Sequence, residues 1–318
     1  MDAISCSELA KSFRNVRAVR GISFSVPEGR VVALLGPNGA GKTTTLRMLT
    51  TVIRPDSGTA AICGRDILRE SLSVRRAISI VPQSTWLNHY LSLRDNILTY
   101  LLLHGLSWAD AKKRAQWAID AFGLGQYTTM RSEQLSGGLR RRTQVARALA
   151  CSAQCFFLDE PSTGLDPKAK QAFWKQLSEV VRDAGATTFL TTHSMDEVEA
   201  LCDDVVLIDQ GAVVASGNVQ ELVDSLGTTR VEYELASLPE CVPDFGPSSK
   251  GVNLSGLTLS ASFMHGKEAI PRALFRLLES GVEVRSMRVV PPRFEDVYLT
   301  LVGAGERRNG GDGQWRIG

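Results

Sequence analysis

The sequence predicts an α/β fold with an inserted helical segment and a small C-terminal α+β appendage. Short apolar strands alternate with amphipathic helices, which is typical of an α/β core. Residues of about 84–135 show helical periodicity alone, and a second series of strands and a helix starts at residue 228. The chain has 318 residues, which suggests two domains at about 150 residues each. We therefore expect a main domain over 1–227, an accessory domain over 228–302 and a disordered, glycine-rich tail over 303–318.

In the main domain, each predicted strand is a short apolar run that ends at a turn or a polar loop. The predicted strands are residues 31–35, 77–81, 155–158, 187–191 and 205–208. Helices are expected from Thr44, Asp166, Ser194 and Asn218, and over 97–103 and 108–122 in the inserted segment. Ser107 and Asp110 have the spacing of a capping box at the start of the last of these helices.

The accessory domain is expected to contain three strands and a helix. The strands are predicted over 230–235, 258–263 and 282–290, the helix over 268–280, and a final short helix over 295–301.

The composition is that of an ordinary globular chain, with 43% hydrophobic residues, 22% charged residues and a net charge of +2. No strong overall charge attracts nucleic acid or lipid, and no apolar run approaches the roughly 18 residues that span a bilayer. Six scattered cysteines do not form a disulfide framework, and Cys151 and Cys155 are expected to be reduced, buried thiols. We expect a cytosolic protein and no secreted, fibrous or membrane-spanning class.

Residues 36–43 carry the strongest motif, a phosphate loop of the form GxxxxGK[ST] between a predicted strand and a predicted helix. Glycines let successive N–H groups turn toward a phosphate at the helix N-terminus. Lys42 is expected to reach the β- and γ-phosphates, and the Thr43 hydroxyl is expected to ligate Mg²⁺. The expected nucleotide-binding residues here are Gly36, Pro37, Asn38, Gly39, Ala40, Gly41, Lys42, Thr43 and Thr44.

Two carboxylates end the predicted strand over 155–158. Asp159 is expected to hold Mg²⁺ through its water shell, and Glu160 is expected to polarise an attacking water. Taken alone, the pair could instead begin a solvated loop, but the phosphate loop upstream favours a nucleotide site. The chain has no guanine-reading Asn/Thr-Lys-x-Asp motif, which argues against a GTPase.

A second phosphate-binding surface is predicted where Ser136, Gly137 and Gly138 open a helix. The chain already has a complete phosphate loop, so this surface is best explained as binding the ATP of another copy. The run Leu-Ser-Gly-Gly-Leu-Arg-Arg-Arg over 135–142, placed just before the Asp159–Glu160 strand, resembles the ABC ATPase family. The resemblance covers about residues 1–225 and implies a P-loop NTPase core of ABC type.

The resemblance also implies roles for four residues that are weak signals singly. Phe13 corresponds to the aromatic residue that stacks on adenine, and Asp166 to the D-loop aspartate. Gln83 corresponds to the Q-loop glutamine, which ligates Mg²⁺ and takes part in catalysis. His193 corresponds to the switch histidine, which contacts the γ-phosphate beside the catalytic Glu160.

The family resemblance further implies a head-to-tail dimer with two ATPs between the subunits. The stretch over 291–301 resembles the ending of bacterial drug and polysaccharide export ATPases of the daunorubicin-resistance type. This implies an ATP-hydrolysing export subunit, bound peripherally to a separate membrane permease on the cytoplasmic side of the inner membrane. The permease is expected to dock just after Gln83, where Trp86 and Tyr90 stand in a polar stretch.

Two other functions remain open at this stage. An importer ATPase would differ in its membrane partner, and a soluble ABC protein would act on ribosomes or DNA. The second is disfavoured, because the chain has one phosphate loop and its inserted segment has neither heptads nor paired cysteines. The run Arg140 to Arg142 could contact nucleic acid, but we expect solvated or ion-paired arginines and no nucleic-acid partner. Leu139 stands where many family members have Gln, which removes one expected ribose contact.

Overall fold

The computed structural model describes residues 1–84, 87–183, 185–225, 227–239, 242–246, 249–264, 266–290 and 293–298. The chain divides into two compact units between Val219 and Gln220. The predicted tail over 303–318 lies outside the described residues. Within the described ranges, no helix combines the length and the apolar character needed to cross a membrane.

The first unit alternates strands and helices along the chain. Its strands are β1 (Asp2–Phe13), β2 (Val16–Pro27), β3 (Val31–Leu35), β4 (Ser57–Ile62), β5 (Arg65–Asp66), β6 (Ile78–Val81), β7 (Cys155–Asp159), β8 (Thr187–Thr192), β9 (Asp204–Asp209) and β10 (Ala212–Asn218). The helices are α1 (Lys42–Leu49), α2 (Ser71–Ala77), α3 (Leu93–Leu103), α4 (Trp108–Ala121), α5 (Gly137–Leu149), α6 (Pro167–Asp183) and α7 (Met195–Leu201), and α8 (Val219–Ser225) begins at the division.

The central sheet has the strand order β10-β9-β3-β8-β7-β6. Five neighbouring strands are parallel, and only β10 runs antiparallel to its neighbour β9. The loops that follow β3, β6, β7 and β8 therefore leave the same edge of the sheet. The α/β class is confirmed, and the five predicted apolar strands are present. One boundary was wrong, because Ala77 ends α2 rather than starting β6.

A second sheet of the first unit, in the order β2-β1-β4-β5, was not predicted from the sequence. It pairs antiparallel strands, and its register slips between Cys6 and Leu9. Glu8 lies at this irregularity with a positive φ of 50°. Such a bulge shifts the alternation of apolar and polar residues by one position, which hides a strand from pattern reading. Side chains from both sheets and α1 form one buried core.

The helical periodicity predicted after residue 84 is confirmed in α3 and α4. The first helix starts at Leu93, four residues earlier than predicted, and the second matches to within one residue. The Ser107 hydroxyl caps α4 by accepting a hydrogen bond of 3.2 Å from the N–H of Asp110. Helices α3, α4 and α5 pack against one another.

The second unit contains β11 (Thr228–Leu235), β12 (Ser249–Ser255), β13 (Thr258–Met264), α9 (Gly266–Glu279) and β14 (Val284–Val290). Its antiparallel sheet has the order β12-β13-β11-β14, so the expectation of three strands was wrong: β12 was missed. Buried Val231 and Tyr233 of β11 share a core with Leu277 of α9. Residues 294–298 are helical, and the rest of the predicted final helix lies outside the described residues.

Candidate active site

The phosphate loop connects the buried strand β3 to α1, as its sequence predicts. Gly36 has no room for a side chain, because a Cβ there would collide with the carbonyl oxygen of Ile208. Gly41 has a φ of +101°, and a Cβ there would lie 2.5 Å from the carbonyl oxygen of Ala18. Both positions therefore require glycine, which brings the backbone close enough to line a phosphate pocket.

Lys42 places its ammonium group inside this loop. The residue is only 5% exposed, and its Nζ donates hydrogen bonds to the carbonyl oxygens of Gly36 (2.8 Å) and Pro37 (2.9 Å). Burial lowers the pKa of Lys42, and the negative charges of Glu160 and Asp159 oppose that shift. A positive charge is thus held where an anion entering the loop would meet it.

Asp159 and Thr43 bring two oxygen atoms together at the end of β7. The Thr43 hydroxyl lies 3.2 Å from Asp159 Oδ1, and the Thr191 hydroxyl donates to the same oxygen at 2.6 Å. Asp159 is buried, so these hydroxyls replace the water that would solvate the carboxylate. A hydroxyl and a carboxylate are oxygen ligands of the kind that Mg²⁺ prefers.

Glu160 lies at the centre of the site and accepts three side-chain hydrogen bonds. Its Oε2 accepts from Gln83 Nε2 (3.2 Å) and from the Thr163 hydroxyl (3.0 Å), and its Oε1 lies 3.3 Å from His193 Nδ1. Burial raises the pKa of Glu160, but the hydrogen bonds from Thr163 and His193, together with charge interactions with His193 and Lys42, outweigh burial and lower it overall. The carboxylate is therefore ionised at neutral pH and able to accept a proton.

The backbone at Glu160 is strained. Its φ is +48°, in the left-handed region that non-glycine residues rarely adopt. The Glu160 N–H donates to both the carbonyl and the hydroxyl oxygen of Thr191, each at 3.1 Å. A strained residue persists where its surroundings hold it in place, and such residues cluster at functional sites.

The sheet topology explains why these residues meet. Lys42 follows β3, Gln83 follows β6, Glu160 follows β7 and His193 follows β8, all at one edge of the parallel sheet. Residues widely separated in sequence therefore converge, as expected where parallel strands end.

The remaining candidates lie on other elements and make their own local contacts. Ser136 caps α5 by accepting from the N–H of Leu139 at 3.3 Å, and it is exposed together with Gly137. Asp166 accepts from the N–H of Ala169 at 3.0 Å, at the start of α6. The exposed ring of Phe13 has the Lys11 ammonium 5.6 Å from its centre.

Three residues of the site were not predicted from the sequence to belong to it. Thr163 and Thr191 hold the two carboxylates, and the only available signal was a polar residue within or beside a buried apolar strand. The third is Arg141, for which the expectation of a solvated or ion-paired arginine was wrong. Arg141 is buried and donates to main-chain carbonyls, because α5 packs against the loops of the site on that side. Arg140 and Arg142 are half-buried.

The fold and the site together define a P-loop nucleoside triphosphatase. Such an enzyme needs a phosphate loop with a buried lysine and a strand that ends in two carboxylates, and both are present. It also needs a base, here an ionised glutamate beside a glutamine and a histidine.

Comparison with known proteins identifies the family. A family model described as ABC transporter matches residues 19–163. The daunorubicin/doxorubicin resistance ATP-binding protein DrrA of Streptomyces peucetius is 38% identical over 95% of this chain and 92% of its own length. The Nod factor export ATP-binding protein I of Ralstonia nicotianae is 37% identical over 94% of each chain. A solved ATP-binding subunit of an ABC transporter aligns with a TM-score of 0.63 and 26% identity, covering 71% of this chain and 93% of its own.

The chain therefore belongs to the ABC transporter ATP-binding family, and it is an ATP hydrolase. The resemblance to drug export ATPases is confirmed by relatives of that type that match nearly the whole chain.

Proposed function

We propose that this ATPase powers a bacterial export system through a separate membrane permease, at the cytoplasmic face of the inner membrane. The contact of ionised Glu160 with Gln83 and His193, beside the phosphate loop, supports the ATPase part of the proposal, and the export relatives that match nearly the whole chain support the transport part. The names of the relatives, which refer to drug resistance and Nod factor export, support an exported small organic molecule as the cargo.

In this mechanism Glu160 is the general base. Its carboxylate takes a proton from a water that attacks the γ-phosphorus, and the bond to the bridging β–γ oxygen breaks to leave ADP and phosphate. Lys42 stabilises the charge on the β- and γ-phosphates, and Gln83 orients the carboxylate. His193, whose side chain is half exposed, is free to reach from Glu160 toward the γ-phosphate.

The residues at the end of β7 fit Mg²⁺. Thr43 and Asp159 would hold the ion, because their oxygens lie side by side and are hard ligands. Gln83, which contacts the neighbouring Glu160, would provide a further oxygen ligand through its side-chain amide. When bound, the ion would neutralise charge on the phosphates.

The second half of the ATP site is proposed to come from another copy of the chain. Ser136 and Gly137 stand exposed at the N-terminus of α5, a 13-residue helix whose first N–H groups attract anions. Each subunit has one complete phosphate loop, so a head-to-tail dimer would give each ATP a phosphate loop from one copy and Ser136–Gly138 from the other. Asp166 would lie at the same interface.

Adenine is proposed to stack on Phe13, which gives a prediction about base selection. Stacking accepts any purine, so ATP should bind only about fivefold more tightly than GTP, a difference of ~1 kcal/mol or less. Phe13→Ala should weaken both nucleotides by a similar factor, about tenfold. Competition binding measures both effects, and a hundredfold preference for ATP in the wild type would show that hydrogen bonds select the base instead.

The permease is proposed to dock on the loop that follows Gln83. Asn96 holds this loop from within, since its side chain accepts from the N–H of Asn88 (2.8 Å) and donates to the Asn88 carbonyl (3.0 Å). Tyr90 is nevertheless 81% exposed, so a fixed backbone presents a free aromatic side chain, which is a favoured interface anchor. Trp86, the other predicted anchor, lies outside the described residues.

Tyr90→Ala should therefore uncouple the chain from its permease. We expect the variant to keep the ATPase rate of the isolated chain within twofold, because Tyr90 makes none of the hydrogen bonds that hold Glu160. Export of a fluorescent anthracycline in cells that co-express the permease should fall by at least tenfold, with less permease co-purified.

Trp108→Ala is the matched control, because Trp108 is an exposed aromatic outside the loop. It should leave export unchanged. If Tyr90→Ala supports wild-type export, the loop is not the docking site. If wild-type chain drives no export and recovers no permease, the export function itself is refuted, whatever the ATPase rate.

A further inference from the structure

Arg141 connects α5 to two segments of the active site through one buried guanidinium group. It lies in α5, one residue past the first turn, and is only 3% exposed. Its Nε donates to the carbonyl of Pro161 (2.9 Å). Its Nη1 donates to the carbonyls of Pro82 (2.6 Å) and Gln83 (3.2 Å) and to Gln144 Oε1 (2.9 Å). Its Nη2 donates to the carbonyls of Asp159 (2.7 Å) and Glu160 (2.8 Å). Five of these six acceptors belong to the backbone.

These acceptors are the loop that carries Gln83 and the segment that carries Glu160. The two segments leave neighbouring strands, β6 and β7, and their side chains meet at 3.2 Å. Arg141 therefore donates hydrogen bonds to the main-chain carbonyls of both Gln83 and Glu160, whose side chains make that contact. Nη2 alone fixes the carbonyls on either side of the Glu160 N–H, so it helps hold the residue at its positive φ.

Only arginine offers the donors this arrangement uses. Its guanidinium has five N–H donors in a rigid plane, whereas a lysine ammonium has three donors at a single point. Burial lowers the pKa of Arg141 to about 10, against the stabilising charges of Asp159, Glu197 and Glu160. The group is therefore charged at neutral pH, and charged donors make the stronger hydrogen bonds.

We propose that Arg141 is a positioning residue for hydrolysis: it fixes the peptides of Gln83 and Glu160 relative to each other, so that the Glu160 carboxylate is aimed at the attacking water. The inference rests on the proposed role of Glu160 as the base. A carboxylate misplaced by 1 Å can lose a hundredfold in rate without losing substrate, because substrate binding depends on other residues. Its burial separates Arg141 from any contact with nucleic acid.

The test compares Arg141→Lys and Arg141→Gln with Arg140→Gln, which removes the same charge from a half-buried position on the same helix. The full-length chain is assayed for kcat, ATP dissociation constant and melting temperature. We expect both Arg141 variants to lose 10- to 100-fold in kcat while the ATP dissociation constant stays within about threefold, and Arg140→Gln to match the wild type. Arg141→Lys keeps the charge and is the variant expected to remain folded.

A double-mutant cycle separates positioning from general support of the fold. In a Glu160→Gln background no base remains to be aimed, so adding Arg141→Lys should leave the residual hydrolysis unchanged. An equal further loss in that background, a parallel loss of ATP affinity, or unfolding of both Arg141 variants would overturn the proposal. Wild-type kcat in Arg141→Lys and Arg141→Gln would overturn it too. Wild-type hydrolysis by Glu160→Gln would instead refute the base itself, which is a distinguishable result.

Discussion

Replacing Glu160 with Gln should reduce ATP hydrolysis by ~10²–10⁴-fold, the range expected when a positioned general base is lost. An amide keeps the size of the carboxylate and can still accept from Gln83 and Thr163, which donate to Oε2 at 3.2 Å and 3.0 Å. It cannot accept the proton of the attacking water. Because Lys42 and the phosphate loop are untouched, ATP affinity should stay within a few-fold.

The same variant should trap the dimer. ATP that is bound but not hydrolysed keeps both half-sites filled, so Glu160→Gln should form a stable dimer with ATP and remain a monomer without it. Phosphate release and size-exclusion chromatography with light scattering measure the two effects, with the permease co-expressed where the isolated subunits associate weakly. Glu179→Gln, at an exposed position on α6, is the matched control and should behave as the wild type.

Hydrolysis by Glu160→Gln at the wild-type rate would contradict the assignment of the base. His193 and Asp166 would then be the next groups to test. His193 contacts the Glu160 carboxylate, with its Nδ1 at 3.3 Å, whereas Asp166 accepts from the N–H of Ala169 at the start of α6.

The parallel sheet could be predicted from the sequence because each of its strands is a compact apolar run. Strand β3 is buried at all five positions and β8 at all six, and such runs do not depend on alternation. The antiparallel sheet could not be predicted in the same way. One of its strands carries a bulge at Glu8, and its alternation of apolar and polar residues changes phase there. Strand β12 has the same difficulty, with a register shift between Lys250 and Asn253.

A site residue could be predicted where a short sequence motif specifies its chemical role. It could not be predicted where contacts between distant parts of the chain place it in the site. Lys42 and Thr43 follow from the phosphate-loop pattern, and the contact between Gln83 and Glu160, 77 positions apart, follows only from the order of β6 and β7 in the sheet. Arg141 stands in a run of three arginines, which is typical of a solvated helix face. Its burial depends on the loops that pack against α5, and the sequence of the helix does not contain that information.

Lys42→Ala should behave differently from Glu160→Gln, because it removes binding rather than chemistry. The Lys42 ammonium is the charged donor inside the phosphate loop, held at 2.8 Å and 2.9 Å from the carbonyls of Gly36 and Pro37. Hydrogen bonds to charged groups contribute about 1.5–3 kcal/mol, so losing the contact with the phosphates should weaken ATP binding by ~10- to 100-fold. Hydrolysis should become undetectable at millimolar ATP.

The Lys42→Ala dimer should be lost together with the nucleotide, since ATP is proposed to join the two half-sites. Calorimetric titration with ATP and light scattering are run on both variants. We expect Glu160→Gln to form a stable ATP-bound dimer and Lys42→Ala to remain an ATP-free monomer. Lys175→Ala, an exposed lysine on α6, controls for the loss of one positive charge and should bind ATP as the wild type does. The melting temperature of Lys42→Ala, compared with that of Lys175→Ala, shows whether the variant is folded. An ATP affinity within a few-fold of the wild type in folded Lys42→Ala would show that the loop backbone binds the phosphates without the lysine, and the assigned role of Lys42 would be wrong.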